Sequence, residues 1–387
     1  MNKLSVRSKA VKVKKANSFL PPAYLLSGLV ALCLCVAAVN VIAQSGGTFT
    51  ITKSVIAGGG GRTTGGTFTL DGTIGQSVAG TNSTGGTFSL ISGFWGGGSS
   101  VVPQIRTAFD FDGDLKTDLS IFRPNGANGA EWWWIKSGSG GNAAVQFGGA
   151  NDKIAAADFT GDAKTDVAFW NPPTGQWFVL RSEDFSFFAF PFGANGDIPA
   201  PADYDGDGKA DAAVFRPAAA TWFISRSTGG TTITQFGAPG DQPVNSDYDG
   251  DGKSDVAIYR PNGAFGAEWW IQRSSNSTVF ALQFGASTDK AVPGDFTGDG
   301  KADVAFWRPT TGFWNVLRSE DFSYYAFPFG ANGDIASPGD YDGDGKLDAA
   351  VFRASSATWF ANRSTAGTLI QQFGAAGDVP VPNAFVR

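Results

Sequence analysis

Twenty-two of the chain's 35 acidic residues sit in six short loops that share one spacing. Each loop has Asp at its first, fifth and ninth positions, Asp or Thr at the third, and Lys at the seventh. The first loop holds Asp110, Asp112, Asp114, Lys116 and Asp118, and the second Asp158, Thr160, Asp162, Lys164 and Asp166. The third holds Asp203, Asp205, Asp207, Lys209 and Asp211, and the fourth Asp247, Asp249, Asp251, Lys253 and Asp255. The fifth holds Asp295, Thr297, Asp299, Lys301 and Asp303, and the sixth Asp340, Asp342, Asp344, Lys346 and Asp348. In a tight loop, alternate side chains converge on one point, and the Lys backbone carbonyl can join them. Carboxylates plus a carbonyl make a hard oxygen cage that suits Ca²⁺, one ion per loop and up to six. Mg²⁺ fits less well because it keeps water and wants strict octahedral geometry. One such loop alone would read as an ordinary Asp/Gly turn. Six copies are different, because carboxylates packed this densely without a cation repel one another or must protonate.

The loops should not be equal. Gly at position 6 allows the positive φ such a loop needs, but Leu115 and Ala163 stand there in the first and second loops. Thr160 and Thr297 each remove a charge, so the second site is expected to be weakest. Position 12 is never Glu (Val214 in the third loop), which excludes an EF-hand.

Other chemistries are thin. The chain has no His, hence no Ser-His-Asp triad, no His-liganded zinc and no imidazole base. The acid pairs Glu183-Asp184 and Glu320-Asp321 invite a glycosidase reading, but strand neighbours face opposite ways, so they read as solvated turn acids. Trp132, Trp177, Trp222, Trp269, Trp314 and Trp359 recur once per repeat, each followed four residues on by Lys or Arg. They read as inter-blade packing with Arg stacked on Trp, the alternative being a ring of sugar or anion pockets. The additional Trp133, Trp134, Trp170, Trp270 and Trp307 break the pattern and are expected at the surface or rim. Insertions at Asn125–Glu131 and Asn262–Glu268 make Trp133, Trp134 and Trp270 the candidate ligand-binding residues.

The elements that position these residues follow from the period. The loops start 48, 45, 44, 48 and 45 residues apart, and Ala189–Ile198 recurs unchanged as Ala326–Ile335, offset by 137. A three-repeat block has been doubled. Between loops run aromatic and β-branched segments of five or six residues, such as Ala212–Arg216 and Trp222–Arg226, split by Gly/Pro/Asn clusters. These are strand signals. Four short strands per repeat predict an all-β chain, a β-propeller of six recognisable four-stranded blades over 104–387, with seven possible. Residues 378–387 repeat only the first strand of a repeat, as ring closure requires, and Ala384-Phe385 mark a degenerate seventh start.

Residues 44–95 read as a small Gly-rich β meander and 96–103 as a linker. The meander is either a separate domain or the outer part of a seventh blade whose inner strand is 379–386. Residues 1–43 carry six basic residues, no acid and an apolar run from Leu25 to Ala43. They read as an export signal, the alternative being an uncleaved anchor. Cys33 and Cys35, the only cysteines, lie inside it, so the exported body has no disulfide. Its 23 basic residues against 35 acids leave a net charge of −12, which argues against nucleic-acid binding. Six Ca²⁺ would bring it near zero.

The Asp-x-Asp-x-Asp-Gly-x-x-Asp loops, the period and the Phe-Gly pairs at 147–148, 192–193, 236–237, 284–285, 329–330 and 373–374 resemble FG-GAP/VCBS repeats. These build the integrin-α-type propeller and many bacterial exported proteins. The resemblance covers about 104–387. It implies a Ca²⁺-stabilised propeller, secreted or on a bacterial cell surface, with an extracellular protein or glycan as partner. The expected function is non-enzymatic recognition or adhesion. The alternatives are a carbohydrate-binding or carbohydrate-processing propeller and a purely structural surface protein.

Overall fold

The computed structural model describes residues 107–126 and 129–387 in full, and the backbone of four strands before them. Residues 1–43, read as an export signal, and 96–103, read as a linker, lie outside the described residues. The chain divides into two compact bodies, 1–100 and 101–387. In the first, Gly59–Gly65 pairs antiparallel with Phe68–Ile74, and Ser83–Gly85 with Phe88–Leu90.

The second body is six four-stranded antiparallel sheets arranged as propeller blades. Blade 3 shows the plan: inner strand Ile198–Pro199, second strand Ala212–Arg216, third strand Thr221–Ser225, outer strand Thr231–Gln235. The acidic loop spans the gap between inner and second strands. Burial falls outward, and the sequence explains why. The second strand, Ala-Ala-Val-Phe, is apolar on both faces and buried along its length. The third alternates and hides Trp222 and Ile224, while the outer strand exposes every other residue. The Trp at each equivalent third-strand position is at most 1% exposed.

The Phe-Gly motif has a local cause. The Phe carbonyl accepts the indole N–H of the repeat Trp in five blades, for example Trp177 to Phe192 at 2.9 Å. The Gly then turns with φ between 100° and 114°, a region that side chains disfavour. The next backbone N–H donates to a buried Asp, as Ala194 does to Asp197 at 2.8 Å. That Asp in turn holds the Arg ending the second strand. Arg216 Nε and Nη2 donate to the two oxygens of Asp197 at 2.7 and 2.9 Å. The pair recurs as Arg260–Asp241, Arg308–Asp289, Arg353–Asp334 and Arg123–Asp378. In blade 2, Asn171 replaces Arg and donates to Asp152.

Blade 1 joins the two ends of this body. Val379–Pro380 pairs with Leu119–Gly126 and becomes the inner strand of the sheet that continues outward through Gly129–Ile135 and Asn142–Gln146. It is therefore not the inner strand of a seventh blade. The expected degenerate start at Ala384-Phe385 is instead part of a 3-10 turn, Val381–Phe385, which contains Pro382 and is preceded by Pro380. Asn383 Nδ2 then donates to Ala336, and Arg387 exchanges backbone hydrogen bonds with Ala291.

The buried bidentate pairs generate a prediction. Arg216→Ala leaves the Asp197 carboxylate, wholly buried, without its cation, which should cost about 3 kcal/mol. Urea unfolding checks it; a loss under about 1 kcal/mol would contradict the role.

Candidate metal centres

Each acidic loop is wired the same way. The position-1 carboxylate accepts two backbone N–H groups, from positions 4 and 6: Gly206 and Gly208 donate to Asp203 at 2.6 and 2.7 Å. Gly at position 4 is present in all six loops, with φ of 78° to 85°, and the sequence reading passed over it. Position 6 also has positive φ throughout, including Leu115 (67°) and Ala163 (66°). A left-handed non-Gly residue costs about 1 kcal/mol, so the first two loops are strained as expected.

The position-9 Asp is a buried staple. Asp118, Asp166, Asp211, Asp255, Asp303 and Asp348 are at most 1% exposed. One oxygen takes the position-2 N–H, and the other takes the N–H of the Ser that follows the repeat Lys or Arg. In loop 3 these are Tyr204 to Asp211 at 2.9 Å and Ser227 to Asp211 at 2.7 Å. In five loops that Ser also donates its hydroxyl to position 5, as Ser227 does to Asp207; in loop 4 the Ser274 hydroxyl is buried without a partner. The Ser recurs in all six repeats; its invariance across the internal repeats was the available signal.

Successive loops are joined in a ring. The position-8 N–H of each loop donates to the position-1 carbonyl of the preceding loop at 2.6 to 2.7 Å. The series runs Thr165 to Asp110, Ala210 to Asp158, Ser254 to Asp203, Ala302 to Asp247 and Leu347 to Asp295, and Thr117 to Asp340 closes it. The stem of each position-7 Lys lies over the position-4 Gly of the preceding loop. A Cβ at Gly161 would stand 2.9 Å from Lys209 Cε. Only glycine tolerates both that contact and the φ.

Four of the six loops bring three carboxylates within 4.8 Å of one another: Asp110/Asp112/Asp118, Asp203/Asp205/Asp211, Asp247/Asp249/Asp251 and Asp340/Asp342/Asp344. Positions 1 and 3 are always members; the third is position 9 in loops 1 and 3 and position 5 in loops 4 and 6. The loops with Thr160 and Thr297 form no such trio. Two observations fit a cation. Asp249 Oδ1 and Asp342 Oδ1 are buried with no hydrogen-bond partner, although a buried carboxylate oxygen requires one. Burial, opposed by backbone hydrogen bonds and aided by neighbouring Asp charges, also drives position 9 upward: Asp118 and Asp348 to about 7, and Asp166, Asp211 and Asp255 to about 6. The acidic clusters can therefore hold a metal ion.

The tryptophans require correction. Trp134, Trp170 and Trp307 are buried (5%, 0% and 2% exposed), because each belongs to a core cluster shared with the next blade. Trp133 and Trp270 are half-buried, with their indole N–H groups donated to Glu131 and Glu268 at 3.0 and 3.1 Å. Among the described residues, the repeat Arg is not found stacked on the repeat Trp: Arg181, Arg273 and Arg318 lie over Phe188, Phe280 and Tyr325 of the outer strands. Glu183, Asp184, Glu320 and Asp321 are exposed turn residues.

Residues 158–214 and 247–306 match the FG-GAP-like repeat family: the chain carries FG-GAP-like repeats. No curated protein matches it. Among solved structures, it is similar to an Agrocybe aegerita lectin that recognises non-reducing terminal N-acetylglucosamine. That match has 17% identity and a TM-score of 0.44, covering 70% of this chain and 82% of the lectin. It is also similar to virginiamycin B lyase from Staphylococcus aureus, with 6% identity and a TM-score of 0.42, covering 68% and 89%.

The raised position-9 carboxylates fix a pH dependence. Their folded-state affinity for protons exceeds the unfolded value of 3.8, so their contribution to stability is full below pH 3.8. It is lost as pH rises through 6 to 7. In EDTA, the melting temperature should fall from pH 5 to pH 8. A metal-free melting temperature that rises across that window would contradict the assignment.

Proposed function

With FG-GAP-like repeats built into a six-bladed ring, we propose that the chain is an exported Ca²⁺-binding propeller that acts in extracellular recognition or adhesion and is not an enzyme. The observation that carries the reading is the ring of six linked acidic loops, with unpartnered buried oxygens at Asp249 and Asp342. All-oxygen ligands on a loop with two positive-φ positions favour the larger, geometrically tolerant cation. Positions 1, 3 and 5, with position 9 beneath them, would hold it, and the Lys carbonyl would complete the shell. Calcium neutralises the loop charge; it supplies no reaction step. The export signal read in residues 1–43 supports an exterior setting, where Ca²⁺ is plentiful.

Recognition is favoured over catalysis because the chain has no His to serve as an imidazole base. A cleft of about 350 Å³ near loop 4 includes Asp249, Arg273 and Ser275 in its lining, and its carboxylate is already a loop member. A carbohydrate ligand is the second reading, and one observation favours it. Trp133 and Trp270 occupy equivalent places in blades 1 and 4, each pinned by Glu131 or Glu268 and flanked by Arg123 or Arg260. Phe265, in the blade 4 insertion, is 87% exposed. Half-exposed indoles held at fixed angles suit the flat faces of sugars.

Two measurements test these readings. Saturating Ca²⁺ should stabilise the fold by about 2.7 kcal/mol per site at 100 times Kd. Asp207→Ala should erase more of that gain than Asp162→Ala, whose loop already carries Thr160 and Ala163; equal losses in calorimetry would refute the ranking. On a glycan array, Trp133→Ala with Trp270→Ala should abolish any signal seen in Ca²⁺. An undiminished signal would exclude the carbohydrate reading at these two rings.

A further inference from the structure

The cleft between blades 4 and 5 reverses the charge of the loops around it. It holds about 350 Å³, inside the range of roughly 300–1,000 Å³ common to ligand sites. Its floor is aliphatic: Ile271 from the third strand of blade 4, and Val304 and Leu317 from the second and third strands of blade 5. Phe280, on the outer strand of blade 4, and Phe322, in a turn of blade 5, flank it with ring centroids 5.4 Å apart. Arg273, Lys301 and Arg318 also line it, against one carboxylate, Asp249. None of these three cations forms an ion pair among the described residues, whereas Arg123, Arg216, Arg260, Arg308 and Arg353 each hold a buried Asp. Arg318 Nε is buried with no hydrogen-bond partner, a donor that calls for an acceptor.

The doubled block supplies a comparison within the chain. At the same place between blades 1 and 2, 137 residues earlier, Trp134 stands for Ile271 and Ala143 for Phe280. The Trp134 indole stacks on Phe111 at 5.1 Å. It packs in one cluster with Ala143, Val167 and Leu180, the counterparts of Phe280, Val304 and Leu317. Ile271 leaves free the space that the indole takes there.

We propose that this cleft docks an extended acidic segment of a partner protein, with a carboxylate side chain on Arg273, Arg318 and Lys301 and a neighbouring apolar side chain on the aliphatic floor. The inference rests on the recognition reading above and names the chemistry of the partner; it needs no ion at loop 4. Forked guanidinium groups match a carboxylate bidentately. Phe280 lies on Val279–Gln283, the strand that ends its sheet, so the backbone of an extended segment can pair there. A sugar fits less well. Its hydroxyls would face Ile271, Val304 and Leu317 without partners, and the Ser275 and Ser319 hydroxyls already donate to Asp249 and Asp299.

The test uses the full-length chain in Ca²⁺ and capped peptides in which Glu alternates with Leu or Phe. The same peptides with Gln for Glu are the uncharged twins. In titration calorimetry the Glu peptides should bind at least about tenfold more tightly than their twins, and added salt should narrow the difference. R273Q/R318Q should erase it. I271W/F280A, which rebuilds a lining that blades 1 and 2 already fold with, should abolish binding at an unchanged melting temperature; if the melt falls, R273Q/R318Q decides alone. Equal binding of both peptide sets, Glu-peptide binding that survives R273Q/R318Q, or no peptide binding at all would overturn the proposal. Hexuronate oligomers are titrated in parallel. If they bind where the peptides do not, and R273Q/R318Q removes that binding, the cleft holds a sugar and the peptide assignment falls while recognition stands. The glycan test at Trp133 and Trp270 is independent of either result.

Discussion

Six buried carboxylates, one per blade, are the constraint on which the molecule is built. The position-9 aspartates are sealed from solvent, and each pins two stretches of chain, the acidic loop and the turn between third and outer strands. A buried charge is costly unless it is neutralised or fully hydrogen-bonded. Two backbone donors per carboxylate meet part of that cost, and the upward-shifted proton affinities show that they do not meet all of it. Whatever further compensates these groups, proton or cation, also decides whether inner strand, loop and outer turn stay in register.

The six repeats are alike in that wiring and differ at the rim, and the differences follow the doubling of a three-repeat block. Blades 1 and 4 share an insertion and a half-exposed Trp held by Glu. Blades 2 and 5 share a Thr in the loop and the Glu-Asp turn. Blades 3 and 6 have neither feature and carry the full set of four loop aspartates with Gly at positions 4 and 6. A ring of this kind presents three kinds of blade twice each. Most of this variation lies in solvent-facing turns, although one buried second-strand position is Phe, Trp or Tyr (Phe122, Trp170, Phe215, Tyr259, Trp307 and Phe352), while the repeat Trp, Phe-Gly and loop Asp positions hardly vary. Solvent-facing turns accept change at little cost, whereas a volume change at a Trp that is wholly buried does not.

Much of this was legible in the sequence because repetition multiplies weak signals. One DxDG is an ordinary turn, and six at a fixed period define blade, loop and strand order together. The Asp–Arg pair was missed because its members are 19 residues apart in sequence and belong to motifs that look independent. The Phe-Gly motif reads as a landmark until the structure shows its carbonyl taking an indole N–H and its successor N–H taking that Asp. Trp170 and Trp307 misled for a physical reason: they lie on second strands, which are buried on both faces, so the alternation that separates core from rim elsewhere does not apply to them. Trp134 lies on an alternating third strand, on the same buried face as Trp132. The hydrogen bond that Thr297 Oγ1 donates to Glu320 Oε2 joins segments 23 residues apart, which only the fold sets face to face.

Closure is where local repetition stops being sufficient. In blades 3 to 6 the bidentate Arg–Asp pair links residues 19 apart, and the chain can form it while still largely unfolded elsewhere. In blade 1 the same pair is Arg123–Asp378, separated by 255 residues, with near-identical lengths of 2.8 and 2.9 Å. Thr117 to Asp340 repeats the contrast among the loop-to-loop hydrogen bonds. Bringing such distant residues together costs loop-closure entropy that grows with the logarithm of separation. No single contact at the seam is stronger than its counterparts elsewhere. The seam must therefore draw on several at once: the inner strand Val379–Pro380, the Arg123–Asp378 pair, the Thr117–Asp340 bond and the Phe109–Phe385 ring contact at 5.8 Å. Closing together, they leave the inner edge of blade 1 paired, which is what separates a propeller from a stack of blades with two free ends.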